Sequence, residues 1–283
     1  MNRRASPPFN TDSSELFSSI EEGLTVGLIA TSKPRVCGVG HDLRAVIEHE
    51  DLQEYDYVPV KDGERTVGLL HRTKRRDTEP KLVSEAMEPL HGGMLISSDS
   101  GILSYIERAD EYEHTCRLVL YGDRLDGIVT LSDLQKLVVR PALFLLVTHV
   151  ELLMAKWIRS TGRPEDKVLA RLPKERRKLV EQEWNWLRKN NLAVDQLTAT
   201  QFCDKRDLLL DLTFVSGKKQ KADAKRDLVG IEQLLRNPLA HAGDFALDEE
   251  KALEVVSTVR IARQWIDRLE HAIGEPDTLE STP

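Results

Sequence analysis

YDYVPVKDGERTVGLL, residues 55–70, sets two short runs of alternating apolar and polar positions on either side of a KDGE turn. That is the pattern of two strands joined by a tight hairpin. It returns as CRLVLYGDRLDGIV at 116–129. Outward from the first copy lie a short strand near VCGV (36–39) and a helix at DLRAVIEHE (42–50). Outward from the second lie a strand at MLIS (94–97) and a helix at SGILSYIERADEY (100–112). Between the copies run the linker RTKRRDTEPK (72–81) and VSEAMEPL (83–90), and a further helix pattern, SSELFSSIEEGLTV, occupies 13–26. A strand, helix and hairpin that repeat point to a fold more strongly than either copy does.

Past Val138 the period changes. Leu143, Leu146, Val150, Leu153 and Trp157 recur every three or four positions, one face of a long helix. The apolar core of that helix, LFLLVTHVELLMAKWI (143–158), is too short to span a bilayer comfortably and contains His149 and Glu151, so a buried helix is expected. Helical patterns follow at 174–190, 203–215 and 228–235. At 248–274, Leu253, Val256, Val259, Ile266, Leu269 and Ile273 share a face, with Gly274 and Pro276 as the stop. The expected architecture is an α/β module followed by an all-α helical bundle. Its divisions are a disordered lead-in at 1–14, the α/β module at 15–140, the bundle at 141–274 and a disordered tail at 275–283.

With 283 residues, 40% hydrophobic and 31% charged, the chain suits two domains, and its net charge of −7 argues against a surface coated in nucleic acid. The charge is uneven: 156–241 holds 19 basic and 12 acidic residues, whereas 242–283 holds 4 and 10. Cys37, Cys116 and Cys203 lack metal-ligand spacing, which leaves reduced thiols in a cytoplasmic protein as the expectation. The first residues contain no apolar run of the kind a signal peptide needs.

In the second copy the hairpin ends in Gly127, Ile128, Val129, Thr130, Leu131, Ser132, Asp133. This run and the tandem repeat resemble the CBS-domain pair, a nucleotide-sensing module in which two α/β units pack sheet to sheet and leave two clefts. The resemblance implies an adenine nucleotide (ATP, ADP, AMP or a relative) held by Gly127, Ile128, Thr130 and Asp133. The hydroxyl and N–H groups at Thr130 would meet phosphate, and Asp133 would accept the ribose hydroxyls. Thr130 and Asp133 are equally suited to capping a helix. The first copy reads Gly68, Leu69, Leu70, His71, Arg72, Thr73, Lys74 at the same place, with His71 for the hydroxyl and Lys74 for the acid. One competent and one degenerate cleft are therefore expected, with His71, Arg72, Lys74, Arg75 and Arg76 read as a solvated charge run.

RNPLAH at 236–241 places a permanent cation, an amide and an imidazole within six residues. Arg236 suits the charge that builds on a phosphodiester, and His241 suits proton transfer. Asn237 is placed to cap a new turn with Pro238 at its first position. The order Arg, polar residue, His resembles the HEPN family of helical domains, many of them metal-independent ribonucleases. The resemblance implies RNA cleavage by 2′-hydroxyl attack with Arg236, Asn237 and His241 in the site, and a homodimer that builds a composite cleft. No carboxylate cluster of the two-metal kind is apparent, so no metal is expected.

Basic residues that suit an RNA backbone are Arg176, Arg177, Lys178, Lys218, Lys219, Lys221, Lys225 and Arg226, a solvated face being their ordinary role. Trp184 and Trp186 lie among them, Trp184 with Leu187 on a core-like face. The reading is an RNA endonuclease regulated by an adenine nucleotide, without a membrane segment. The alternative is a nucleotide-sensing adaptor whose helical domain mediates dimerisation or partner binding.

Overall fold

The computed structural model describes residues 13–74, 80–111, 115–190, 194–240 and 245–274. Its strands are β1 (Thr31–Ser32), β2 (Cys37–Gly38), β3 (Tyr57–Asp62), β4 (Arg65–His71), β5 (Glu88–Pro89), β6 (Leu95–Ser97), β7 (Arg117–Tyr121) and β8 (Arg124–Val129). The two hairpins turn alike: Gly63 and Gly122 take φ of +60° and +65° at the first loop position, a conformation open to glycine. Each hairpin also breaks register at the same place, between Val60 and Lys61 and between Val119 and Leu120. Opposite those breaks stand Gly68 and Gly127. A Cβ on Gly68 would come within 2.4 Å of the Glu88 carbonyl oxygen, and one on Gly127 within 2.9 Å of the Tyr121 ring.

Two mixed sheets result, ordered β2-β3-β4-β5 and β1-β8-β7-β6. In each, the short leading strand runs parallel to the hairpin and the far edge is filled by an antiparallel strand. The edge strands are exchanged. β1 precedes the first copy yet pairs with β8 of the second, and β5 precedes the second copy yet pairs with β4 of the first. This exchange ties the copies together, and Leu69, Met94, Cys116, Leu118 and Ile128 bury a common core. The small helices of this part are α2 (Leu43–Glu48), α3 (Val83–Ala86) and α4 (Ile102–Glu107), which follow α1 (Ser13–Gly23) in the chain. Asp42 caps α2 by accepting from the Ala45 N–H at 2.9 Å.

The remainder is a helical region: α5 (Val139–Ser160), α6 (Glu165–Leu169), α7 (Lys174–Lys189), α8 (Phe202–Asp211), α9 (Lys218–Ile231), α10 (Asn237–Ala240) and α11 (Glu249–Gly274). Ala155, Ile158, Val168, Leu172, Val180 and Leu208 form one of its cores, with Trp184 packed against it. Trp184 also donates its indole N–H to the Val194 carbonyl at 3.0 Å, while Trp186 is exposed. In α11 the buried seam is wider than expected. Val256, Val259, Ile266 and Leu269 are joined by Ala252, Val255, Ala262 and Trp265.

Three expectations are corrected. The element that Thr130 and Asp133 cap is not an α-helix. Leu131–Gln135 is a 3₁₀ turn, and Lys136 is extended (φ −62°, ψ 140°) before α5 starts at Val139. α5 itself has 22 residues, because Arg159 and Ser160 extend its end and Val139–Ala142 add a turn at its start in which Pro141 needs no N–H partner. It is thus long and apolar enough to pass as a membrane span, yet 56% of its most apolar window is buried within the protein, as expected of a core helix. Asn237 does not cap. Its φ and ψ of −69° and −46° are helical, and the chain passes from α9 through a π-helical turn, Glu232–Arg236, into α10. Pro238 removes a donor and crowds the preceding turn, and a π turn widens the helix where that crowding falls.

Two compact units emerge where the sequence reading draws one boundary at 140/141. Among the described residues, one comprises those within 21–139 and 246–253, and the other those within 13–20, 140–245 and 254–274. α1 as far as Ile20 joins the helical unit because Phe17 is buried there, stacked on His149 with ring centroids 4.4 Å apart, and Ser14 donates to Glu270 at 2.6 Å. The lead-in, apart from its last residues, and the tail at 275–283 lie outside the described residues. Cys37 and Cys116 are buried and Cys203 is half-buried, all three free, and burial pushes the Cys37 thiol up to about 11.

The helical unit also carries an acid-sensitive pair. Burial works to raise the Asp195 carboxyl. The hydrogen bonds it accepts from Arg159 and from the Thr198 hydroxyl and N–H overcome that and hold it at about 2. The folded value lies below the unfolded one, so this stabilisation is present above about pH 4 and disappears as the pH falls toward 2. Asp195→Asn is expected to cost about 1 kcal/mol at pH 7, a value discounted for solvent screening. Urea unfolding at pH 7 and near pH 2 measures this, with the two proteins equally stable at the lower pH.

Candidate functional site

At the end of β8 the chain leaves the sheet at Thr130, whose φ and ψ of −134° and 174° are extended, and tightens into the 3₁₀ turn. Asp133 reaches back: one carboxylate oxygen accepts from the Thr130 N–H at 2.7 Å and from its hydroxyl at 3.3 Å. The other oxygen pairs with the Lys136 ammonium at 2.7 Å, and Lys136 also donates to the Ile29 carbonyl. Asp133 is thus 8% exposed, hydrogen-bonded and charge-balanced. The oxygen paired with Lys136 has a second lone-pair direction that a ligand hydroxyl can use.

Thr130, Leu131 and Asp133 line a cavity of about 640 Å³ in the sheet unit, within the range of small-molecule sites. Opposite them Tyr57 and His71 are stacked, ring centroids 4.6 Å apart and 20° from parallel. Burial raises the Tyr57 hydroxyl pKa, with Glu249 and Asp56 pushing the same way. Ile128 lines the cavity as the sequence suggested. Gly127 does not, being spent on the close approach of Val119 and Tyr121. From the first-copy run, His71, Thr73 and Lys74 line this same cavity. Arg72 is structural: its guanidinium donates to the carbonyls of Tyr55, Ile47 and Gln53 at 2.7–2.9 Å. Arg75 and Arg76 lie outside the described residues.

A last wall comes from far along the chain. Residues 246–252 return to the sheet unit, where Gln135 donates to the Ala246 carbonyl at 2.8 Å. Ala246 has φ of +55°, Leu247 is exposed at the cavity wall, and Asp248 caps α11 by accepting from the Lys251 N–H at 2.8 Å. Sequence reasoning passed over this strap. Its signal, an acidic cap before an apolar helix, tells of a helix start and nothing of what lies across from it.

In the helical unit, Arg236 ends the π turn half-buried, and its Nη1 donates to the Asn237 side-chain oxygen at 3.3 Å. Asn237 therefore steadies the guanidinium. His241 lies outside the described residues. Glu151 pairs with buried Lys205 at 2.9 Å, and His149 is buried 3.4 Å from Glu270, so both serve the packing of α5. The basic residues divide. Arg177, Lys218, Lys219 and Lys225 are exposed, as is Arg226, which pairs with Asp223 at 3.1 Å. Arg176 is taken by Asp204 through two bonds of 2.8 and 2.7 Å. The structure brings Thr130, Asp133, Tyr57, His71 and the strap together, and Arg236 with Asn237.

No family model matches the chain, and no curated protein matches it. Among solved structures it is similar to the CBS-pair protein CBSX2 from Arabidopsis thaliana, at 20% identity over 43% of this chain and 95% of that one, with a TM-score of 0.35. It is also similar to the CBS domain of a bacterial CNNM/CorC family Mg2+ transporter, at 16% identity over 47% of this chain and 84% of that one, TM-score 0.34. The corresponding domain in complex with ATP gives 18% identity over 47% and 97%, TM-score 0.34.

Proposed function

We propose that the chain is a ribonuclease of the HEPN kind governed by an adenine nucleotide held in a CBS-type pair, the sheet unit sensing and the helical unit cutting. The sensing half rests on the cavity. A purine has the Tyr57–His71 stack to lie against, and a ribose hydroxyl has the remaining lone pair on the Asp133 oxygen that faces Lys136. Asp133→Asn keeps an acceptor for the Thr130 N–H and loses the charge, so nucleotide affinity should fall about tenfold in calorimetric titration. Unchanged affinity would remove Asp133 from the site.

The cutting half rests on Arg236, set by Asn237 at a π turn, a helical irregularity often found at functional sites. The ribose 2′-hydroxyl attacks the adjacent phosphorus, His241 moves the proton and Arg236 balances the charge on the phosphate oxygens. The nucleophile is internal to RNA, so this route requires no metal. Regulation has a short path. The strap at 246–252 follows His241 in the chain and forms part of the cavity wall. Purified protein incubated with mixed RNA in EDTA, with and without ATP and AMP, tests the whole reading. Expected are 2′,3′-cyclic phosphate ends and a rate that responds to nucleotide.

The adaptor reading has its own observation. Phe144 and Leu152, eight residues apart on α5, are 58% and 51% exposed. A non-catalytic chain that dimerises or docks a partner through α5 would leave RNA intact and lose self-association on Phe144→Ser, by sedimentation.

A further inference from the structure

The charges around the cavity restrict which adenine compound it takes, an inference that rests on the sensing half of the reading above. Glu54 and Asp56 stand on the wall that carries Tyr57, and Asp248 and Glu249 on the strap. Asp133 is balanced by Lys136 at 2.7 Å. Among the described lining residues Lys74 is the sole lysine or arginine. Among the described lining residues, four carboxylates beyond Asp133 thus accompany one permanent cation. The stacked Tyr57 and His71 rings and the Thr31, Thr115 and Thr130 hydroxyls serve a neutral ring and sugar well. A triphosphate brings several negative charges into the same volume. A nucleotide site built for phosphates shows lysines, arginines or a glycine-rich run of N–H groups, whereas the segment that closes this cavity begins Leu247, Asp248, Glu249, Glu250.

We propose that the cavity ranks adenine nucleotides by charge, holding best those with the fewest phosphates, and that the strap carboxylates Asp248 and Glu249 are the residues that disfavour polyphosphate. The strap is then a charge filter as well as a wall. A ligand with few phosphates meets little repulsion from Asp248 and Glu249, and each further phosphate adds to it.

The test is calorimetric titration of the full chain with adenosine, AMP and ATP, in EDTA so that no magnesium masks the phosphates. The same titrations are run on Asp248→Asn/Glu249→Gln, in which Asn retains the cap of α11 and Gln the side-chain volume. Expected for the parent is an affinity order of adenosine, AMP, ATP, with ATP at least tenfold weaker than adenosine. The gap should shrink in higher salt. In the double variant ATP should gain about tenfold while adenosine changes less than threefold. ATP binding as tightly as adenosine would overturn the charge filter and leave the adenine site standing. A gap unchanged in the double variant would overturn the role of the strap. Failure of all three compounds to bind would remove the adenine reading itself, and the inference with it.

Discussion

Alanine in place of His241 is expected to lower metal-free RNA cleavage by about 10²–10⁴-fold, the span that a positioned general acid or base contributes. The imidazole is the residue in RNPLAH that titrates near neutral pH, so no neighbour in the segment can replace it. Arg236→Ala should cost about 10²–10³-fold by removing the donor aimed at the developing phosphate charge. Arg236→Lys should recover only part of that, because a lysine cannot keep the planar fork that Asn237 steadies at 3.3 Å. The measurement is a single-turnover rate on a defined RNA in EDTA, with product ends identified as 2′,3′-cyclic phosphate and a matched DNA left uncut. Each variant is also checked for unchanged thermal unfolding. A His241→Ala protein that is folded and cuts as fast as its parent would end the ribonuclease assignment.

The parts of the molecule that were legible in sequence share a cause: their information is local. The paired hairpins could be read because alternation, a glycine turn and a repeat all lie within about 16 residues, and β3–β4 and β7–β8 form there. Asp133 was legible both as a cap and as a cavity residue, and the structure gives it both positions. What stayed hidden depends on distant partners. The edge strands β1 and β5 are two residues each and pair with the other copy's hairpin, which no periodicity reports. Residues 246–252 complete a cavity whose other walls lie more than 100 positions earlier. Asn237 before Pro238 satisfies every local rule for a helix start, yet the π turn of 232–236 lets the helix continue through the proline. The pairing of Arg176 is hidden for the same reason. Beside Arg177 and Lys178 it looks like one of a solvated trio, and its partner is 28 residues away.

That partner makes Arg176→Ala the substitution with the largest expected effect on stability. Asp204 is 2% exposed and accepts from Arg176 Nε at 2.8 Å, Arg176 Nη2 at 2.7 Å and the Gln201 N–H at 3.0 Å. The hydrogen bond with Asp204 is also the main cause that raises the Arg176 pKa. Truncating the arginine leaves a buried carboxylate without its counter-charge, a change that typically costs about 3–5 kcal/mol. Arg177→Ala, one position along on an exposed face, should stay within about 0.5 kcal/mol. Urea unfolding of both variants and of Arg176→Ala/Asp204→Asn gives the comparison. Neutralising Asp204 removes the stranded charge, so the double variant should recover part of what the single one loses. An arginine held for RNA would behave oppositely. Arg176→Ala would unfold like the parent and lower the salt dependence of RNA binding by about one counter-ion, the outcome that would return Arg176 to the nucleic-acid surface.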